Sequence, residues 1–391
     1  MRIDKIDAYV VRLPLKKELR LADIPLNYID SVFVRLTSGN DAGWGEVMPG
    51  NEPVLTAAWS NSVFLCLKDS LIPRVGAAKD VNSGDHLAEI VSQIRGNRHA
   101  KGVLDMAWWD LSARKKGKPL HQVLGGTRWQ LALGLTFDRM ASQEEFFSEL
   151  QRAETDGFRR VSLKIRPGWD INMLSAVRRE FPLLMIQCDV EGGLSLNNHS
   201  DTIYRFDDFF PTLLEQPLSA KEYVGHAMLQ DSIRSPICLD ESVTSYHEAE
   251  IAIDLRSASV ICLNAGRIGG LTTAKAIHDL CMQSEVLCYS GCVYLSSVGY
   301  RHVAAIASLP NCMLPVDYMR FEELFEADPG VPLKTSMVDL NETDIDCEIK
   351  GYTDTRVAEL WDEPGIGFDP DMSVIEKYAI NHFEWGTGDK G

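Results

Sequence analysis

Short apolar segments recur along the middle of the chain, and each ends in a polar residue. VSL precedes Lys164, LLMIQC precedes Asp189, TLL precedes Glu215, ICL precedes Asp240 and VICL precedes Asn264. These polar ends are 25, 26, 25 and 24 residues apart. A step of that length holds one strand and one returning helix, the unit of a parallel α/β barrel. Continuous aliphatic runs suit strands buried on both faces. The carboxyl ends of such strands share one mouth, where barrel enzymes place their active sites. Asp189, Glu215 and Asp240 are therefore expected to converge there, beside Lys164. Three converging acids repel one another unless a cation neutralises them. Mg²⁺, or Mn²⁺ in its place, suits carboxylate oxygens. A strand-end acid can instead cap the next helix, but three in register beside a lysine favour the metal.

The flanking pattern differs. Residues 2–13 alternate loosely and 31–37 clearly, and an SGND turn then leads into WGEVMP, which predicts an antiparallel meander. From about 54 to 125 the period is helical. One helix is expected over 57–71 and another from Lys101 through MAWWDLSARKKG, ended by Gly117 and Pro119. Trp108 and Trp109 read as core packing. Residues 1–125 thus form an α+β domain, which 322–391 are expected to complete, and 126–321 form the barrel. A Ser142-to-Glu145 capping box opens the first barrel helix, and RVSLKI is the second strand. The seventh strand lies around Val286–Ser290 and the eighth at CMLPVD. The closing GTGDKG is expected to be disordered.

Composition narrows the function classes. The chain has 391 residues, 45% hydrophobic and 24% charged, with a formal net charge of −17. That charge argues against nucleic-acid and anionic-membrane partners. No apolar run reaches the roughly 18 residues of a membrane span, and the first residues lack the apolar core of a signal peptide. A cytoplasmic protein is expected. Nine cysteines without CxxC or Cys/His ligand spacing read as free thiols, not as a zinc site.

Several motifs, AGWGE, WDLSARKKGKPLHQVLGGT, LKIRPGWD, LLEQPL, PICLDES, GRIGGL and ASLPNCMLP, resemble those of the enolase superfamily. The resemblance is to its muconate-lactonising subgroup, and within that to the o-succinylbenzoate synthase and N-acylamino acid racemase family. It implies a modified (β/α)₇β TIM-like barrel under an N-terminal α+β capping domain. It also implies Mg²⁺ ligation by Asp189, Glu215 and Asp240, proton transfer by Lys164 next to a substrate carboxylate, and a homo-oligomer. A lysine serves as such a base when its pKa falls toward neutrality. Substrate contacts would come from segments 15–26 and 48–54, which carry Lys16, Lys17, Arg20 and Asn51.

Departures from the family pattern bear on the reaction. The strand-six lysine is replaced by Asn264, whose amide has no protonatable site near pH 7. The first lysine of the strand-two Lys-x-Lys is Ser162, so a cation beside Lys164 is lost, and Arg166 is the candidate to compensate in part. The acid after strand seven is Leu295. The asparagine two residues after the first metal ligand is Glu191, which either adds charge to the metal site or is solvated. Racemisation by two bases needs a proton carrier on each face, whereas a syn elimination of water needs only one lysine. A carbon–oxygen lyase working through Lys164 is therefore the leading expectation. The alternatives are an epimerase or cycloisomerase that recruits Tyr289 or Tyr294, and a non-catalytic relic of the family.

Overall fold

The computed structural model describes residues 1–386 except 22, 23, 55, 139, 141, 293, 344, 346 and 348. All but the first residue of the GTGDKG tail therefore lie outside the described residues. Three strands open the chain: β1 (Lys5–Leu21), β2 (Ile24–Ser38) and β3 (Asp41–Val47). They pair antiparallel, as the meander pattern predicts. The described part of segment 15–26, residues 15–21 and 24–26, is strand where the sequence reads as a loop. It is the far end of the β1–β2 ribbon, pairing Leu19 with Leu26 and Arg20 with Pro25. Its KKELR composition hides strand character because this arm runs past the packed sheet. The arm meets the barrel where Leu15 bridges Phe325.

Helix Arg98–Lys115 crosses the meander. Gly43 and Gly45 of β3 permit that contact. A β-carbon on Gly43 would lie 2.2 Å from the Leu111 nitrogen, and one on Gly45 would lie 2.3 Å from the Val103 oxygen. Trp108 is buried in this layer, as expected. The helix expected over 57–71 begins at Ser60, passes through a π-helical turn at Leu67–Leu71 and continues to Ala77.

Eight strands then run in parallel: β4 (Gln130–Phe137), β5 (Arg160–Lys164), β6 (Met185–Asp189), β7 (Leu213–Glu215), β8 (Ile237–Leu239), β9 (Val260–Cys262), β10 (Leu287–Tyr289) and β11 (Val316–Tyr318). They pair in chain order from β4 to β10, and β11 returns to β4. Ser142 caps the first barrel helix by accepting a hydrogen bond from the Glu145 amide. Val161, Leu163, Ile186, Leu214 and Leu239 are fully shielded from solvent or nearly so. Each such side chain contributes about 1.5–3 kcal/mol by burial. The core therefore sits between barrel and helices and holds the strand ends fixed.

The tail divides. β12 (Thr335–Asp339) and β13 (Asp354–Glu359) form a hairpin that extends the barrel sheet through β4. This corrects the expectation that all of 322–391 returns to the first domain. Other parts do return to it: Leu15 bridges Phe325, the Glu326 amide donates to the Pro14 carbonyl, and β14 (Ala379–Gly386) pairs with β1. Among the described residues no disulfide is formed. Among the described residues no helix is long and apolar enough to cross a membrane.

Candidate active site

Parallel pairing sets the site. Lys164 is in register with Asp189, and Asp189 with Glu215, across β5, β6 and β7. All three line a cavity of about 380 Å³ at the strand ends, together with Asp240, Glu241, Cys262 and Asn264. The first domain supplies the rest of the wall through Lys17, Arg20, Glu46 and Met48. A space of this size suits a small molecule.

Charge in the cavity is unevenly matched. Lys164 Nζ donates to Asp189 Oδ2 at 2.6 Å and to Glu191 Oε1 at 2.8 Å. Burial alone would lower the lysine pKa, but the Asp189 and Glu191 charges outweigh it and hold Lys164 well above its ordinary value. The expected depression toward neutrality is therefore not found; the two carboxylates keep the lysine charged. Glu191 is not simply solvated: it also faces Arg166 Nη2 at 3.1 Å, and Arg166 in turn reaches Asp138 at 2.9 Å. Arg166 thus brings positive charge near Lys164 but spends it on two carboxylates. Glu191 adopts a left-handed backbone, φ 51°, a region that a glutamate enters at a cost.

Asp240 is paired with the Arg267 guanidinium through both oxygens, one of them at 2.9 Å. Burial raises its pKa, but Arg267 brings the balance below the usual value. Glu215 has no such cation. One of its oxygens accepts from the Gln187 amide, while burial and the charges of Asp189, Asp240 and Asp317 push its carboxyl well up. Glu241 is pushed up to about 8 by burial and Asp240, and its Oε2 is buried without a hydrogen-bond partner. A buried carboxyl pushed well up, a second one raised to about 8 and an orphaned oxygen form a donor set short of positive charge. A divalent cation held by Asp189, Glu215 and Asp240 fits that deficit.

Asn264 reaches the cavity, and its Oδ1 accepts from the Arg267 amide, capping the turn Ala265–Ile268. Arg20, Arg166 and Tyr294 also line the wall. Ser162, Asn51 and Tyr289 are not among its lining residues. Ser162 lies one inward step below Lys164 and is too short to reach up from its buried position. Tyr289 is buried in the barrel interior, where its hydroxyl accepts from Arg160 Nη2 at 2.7 Å. Asn51 braces the first domain, accepting from the Asp30 amide and donating to the Tyr28 carbonyl.

Several wall residues were not apparent from the sequence, and three of them, Glu46, His99 and Cys262, stand out. Glu46, inside the quoted AGWGE motif, ties the domains together by accepting from Ser31, from Ser296 and from the Gly299 amide. Burial pushes it up to about 7. His99, at the start of the crossing helix, stands on the Asn264 side, where a β-carbon on Gly266 would be 3.3 Å from its ring. Burial and then Arg267 lower it to about 4, so it is neutral at pH 7. Cys262 is the third, and no ligand spacing marked it.

Comparison with known proteins agrees with this architecture. The model of the mandelate racemase / muconate lactonizing enzyme N-terminal domain matches residues 6–125, and the enolase C-terminal domain-like model matches 145–374. An o-succinylbenzoate synthase from Geobacillus stearothermophilus is 33% identical over 338 residues, covering 86% of this chain and 85% of the relative. An N-succinylamino acid racemase from Thermus thermophilus is 32% identical over 328 residues, covering 84% and 88%. A solved structure described as an unknown member of the enolase superfamily, from Enterococcus faecalis V583, aligns with a TM-score of 0.85 at 26% identity, covering 98% of this chain and 99% of that one. With its capping sheet, its barrel of parallel strands and both domain models matched in order, this chain belongs to the enolase superfamily, in the mandelate racemase and muconate-lactonizing branch.

Proposed function

We infer that the protein removes a proton next to a substrate carboxylate with Lys164 and eliminates water from the same face, as an o-succinylbenzoate synthase-like lyase. The observation that carries this reading is the asymmetry of the cavity. A lysine stands level with the carboxylates on the β5 side, and an asparagine stands at the end of β9. Bound at Asp189, Glu215 and Asp240, Mg²⁺ would stabilise the negative charge that develops on the substrate. Asp189 cannot give its full charge both to a cation and to Lys164. Once Asp189 serves as a ligand, Lys164 keeps Glu191 as its main partner and its pKa falls toward the range a base needs. After taking the proton, the same ammonium can return it to a leaving hydroxyl on that face.

Two-base chemistry finds less support. Tyr289 lies below the cavity. Tyr294 lines it, but burial raises its phenol above the ordinary value, so it holds its proton and is a poor base. On the Asn264 side stands His99, a neutral imidazole suited to donating a hydrogen bond rather than to matching Lys164 as a second base. Substrate would be a small carboxylate whose remote part meets Lys17, Arg20 and the apolar Leu19, Met48 and Met319. The test offers the hydroxy-acid precursor of o-succinylbenzoate and a panel of N-succinylamino acids, each with Mg²⁺. The lyase reading expects dehydration of the first. Inversion of the amino acids without dehydration would replace it with a racemase.

A further inference from the structure

Cys262 ends β9 at the depth where the acids converge. Its neighbours Val260 and Ile261 pair with Cys238 and Leu239 of β8, so the next step of the same register sets Cys262 beside Asp240. One carboxylate oxygen of Glu215, one of Asp240 and Cys262 Sγ all lie within 4.8 Å of one another. Cys262 is only 2% exposed. Gly291 makes the room: a β-carbon there would lie 2.6 Å from Sγ. Independently of this trio, the buried Glu241 Oε2 next to Asp240 has no partner, which marks the place as short of a cation. A hydrogen bond to Asp240 alone would be met by a serine. A larger, polarisable sulfur among carboxylates changes which metal the place prefers.

Resting on the metal-site reading above, we propose that Cys262 is a ligand that gives this centre mixed oxygen–sulfur character. The site would then take a borderline divalent cation, Co²⁺ or Zn²⁺, more tightly than Mg²⁺. Thiolate favours such ions, while Mg²⁺ demands oxygen. On binding, the S–H bond breaks, its proton leaves to water, and the sulfur lone pair passes to the cation without any change of oxidation state.

The test titrates the purified full-length chain with Co²⁺, reading the near-ultraviolet thiolate-to-cobalt charge-transfer band, proton release and bound metal by equilibrium dialysis. The wild type should bind one equivalent with the band and release one more proton per cation than Cys262→Ser. In Cys262→Ser the band should vanish and Co²⁺ should bind more weakly by at least the roughly tenfold that loss of an outer-shell partner costs, with Mg²⁺ affinity retained. Asp240→Asn should lose both cations, which separates this centre from the other eight thiols. Binding that depends on Asp240 but shows no band, or a band that survives in Cys262→Ser, overturns the sulfur ligand and leaves the carboxylate site standing. No Asp240-dependent binding of either cation overturns the metal reading and this inference with it.

Discussion

At the scale of single residues the proposed reaction depends on Lys164, whose pKa Asp189 and Glu191 hold up. Removing the amine with Lys164→Ala should lower turnover by roughly 10²–10⁴-fold, the usual worth of a positioned acid–base group. A steady-state assay on any accepted substrate checks this. Glu191→Asn removes one of the two charges that hold Lys164 high and puts an asparagine at a left-handed φ that this residue tolerates. The lysine pKa should fall, so the basic form appears at lower pH and the rising limb of the pH–rate profile moves to lower pH. An unmoved limb would mean that Glu191 does not set the base. Lys164 and the three acids were legible because strand ends announce themselves by spacing. Ser162 and Tyr289 were misplaced because alternation gives a side chain's face but not its depth. Glu46 and His99 reach the cavity from another domain, and no local pattern reports such a meeting.

Elements were the most legible level. The barrel strands lie close to where the apolar lead-ins put them, because strands covered on both faces must be apolar throughout, although the eighth is Val316–Tyr318, at the far end of CMLPVD and beyond it. The β12–β13 hairpin escaped notice because its partner, β4, lies some two hundred residues earlier and its exposed face blurs the alternation. The ribbon arm escaped because its charged KKELR run carries no apolar alternation, two of its cations, Lys17 and Arg20, lining the cavity instead of a packed sheet. Where elements press backbone to backbone, small changes should be costly. Gly43→Ala would drive a β-carbon to within 2.4 Å of the Ala107 carbonyl oxygen. Overpacking of this kind costs about 1–3 kcal/mol, occasionally more. Urea unfolding should show a lower midpoint at an unchanged slope. Full stability in that variant would mean that β3 and the crossing helix are not so closely seated.

Across the whole molecule, acid should loosen the fold through histidines kept neutral by burial. His99, His226 and His302 are each lowered to about 4, below the ordinary 6.5. A group depressed in the folded state contributes stability that is fully present above its unfolded pKa. That contribution is lost as pH falls from 6.5 through 4, at up to about 1.4 kcal/mol per pH unit for each histidine. Glu46, raised to about 7, and Asp105 and Asp110, raised to about 6, act in the opposite sense, since each prefers its proton in the folded chain. Replacing His302, which meets the Trp44 carbonyl at 2.9 Å, with glutamine should therefore flatten the stability profile between pH 6.5 and 4.5. Chemical denaturation across that range measures the slope, and an unaltered slope would remove His302 from the balance.

The central claim is one proton carrier on one face. Proton NMR in D₂O with Mg²⁺, following the hydrogen next to the carboxylate in wild type and in Lys164→Ala, tests it most directly. Wild type should exchange this hydrogen for deuterium, or lose it with water, without inverting the centre, and Lys164→Ala should do neither. Exchange that persists in Lys164→Ala, or that comes with inversion in the wild type, would contradict it.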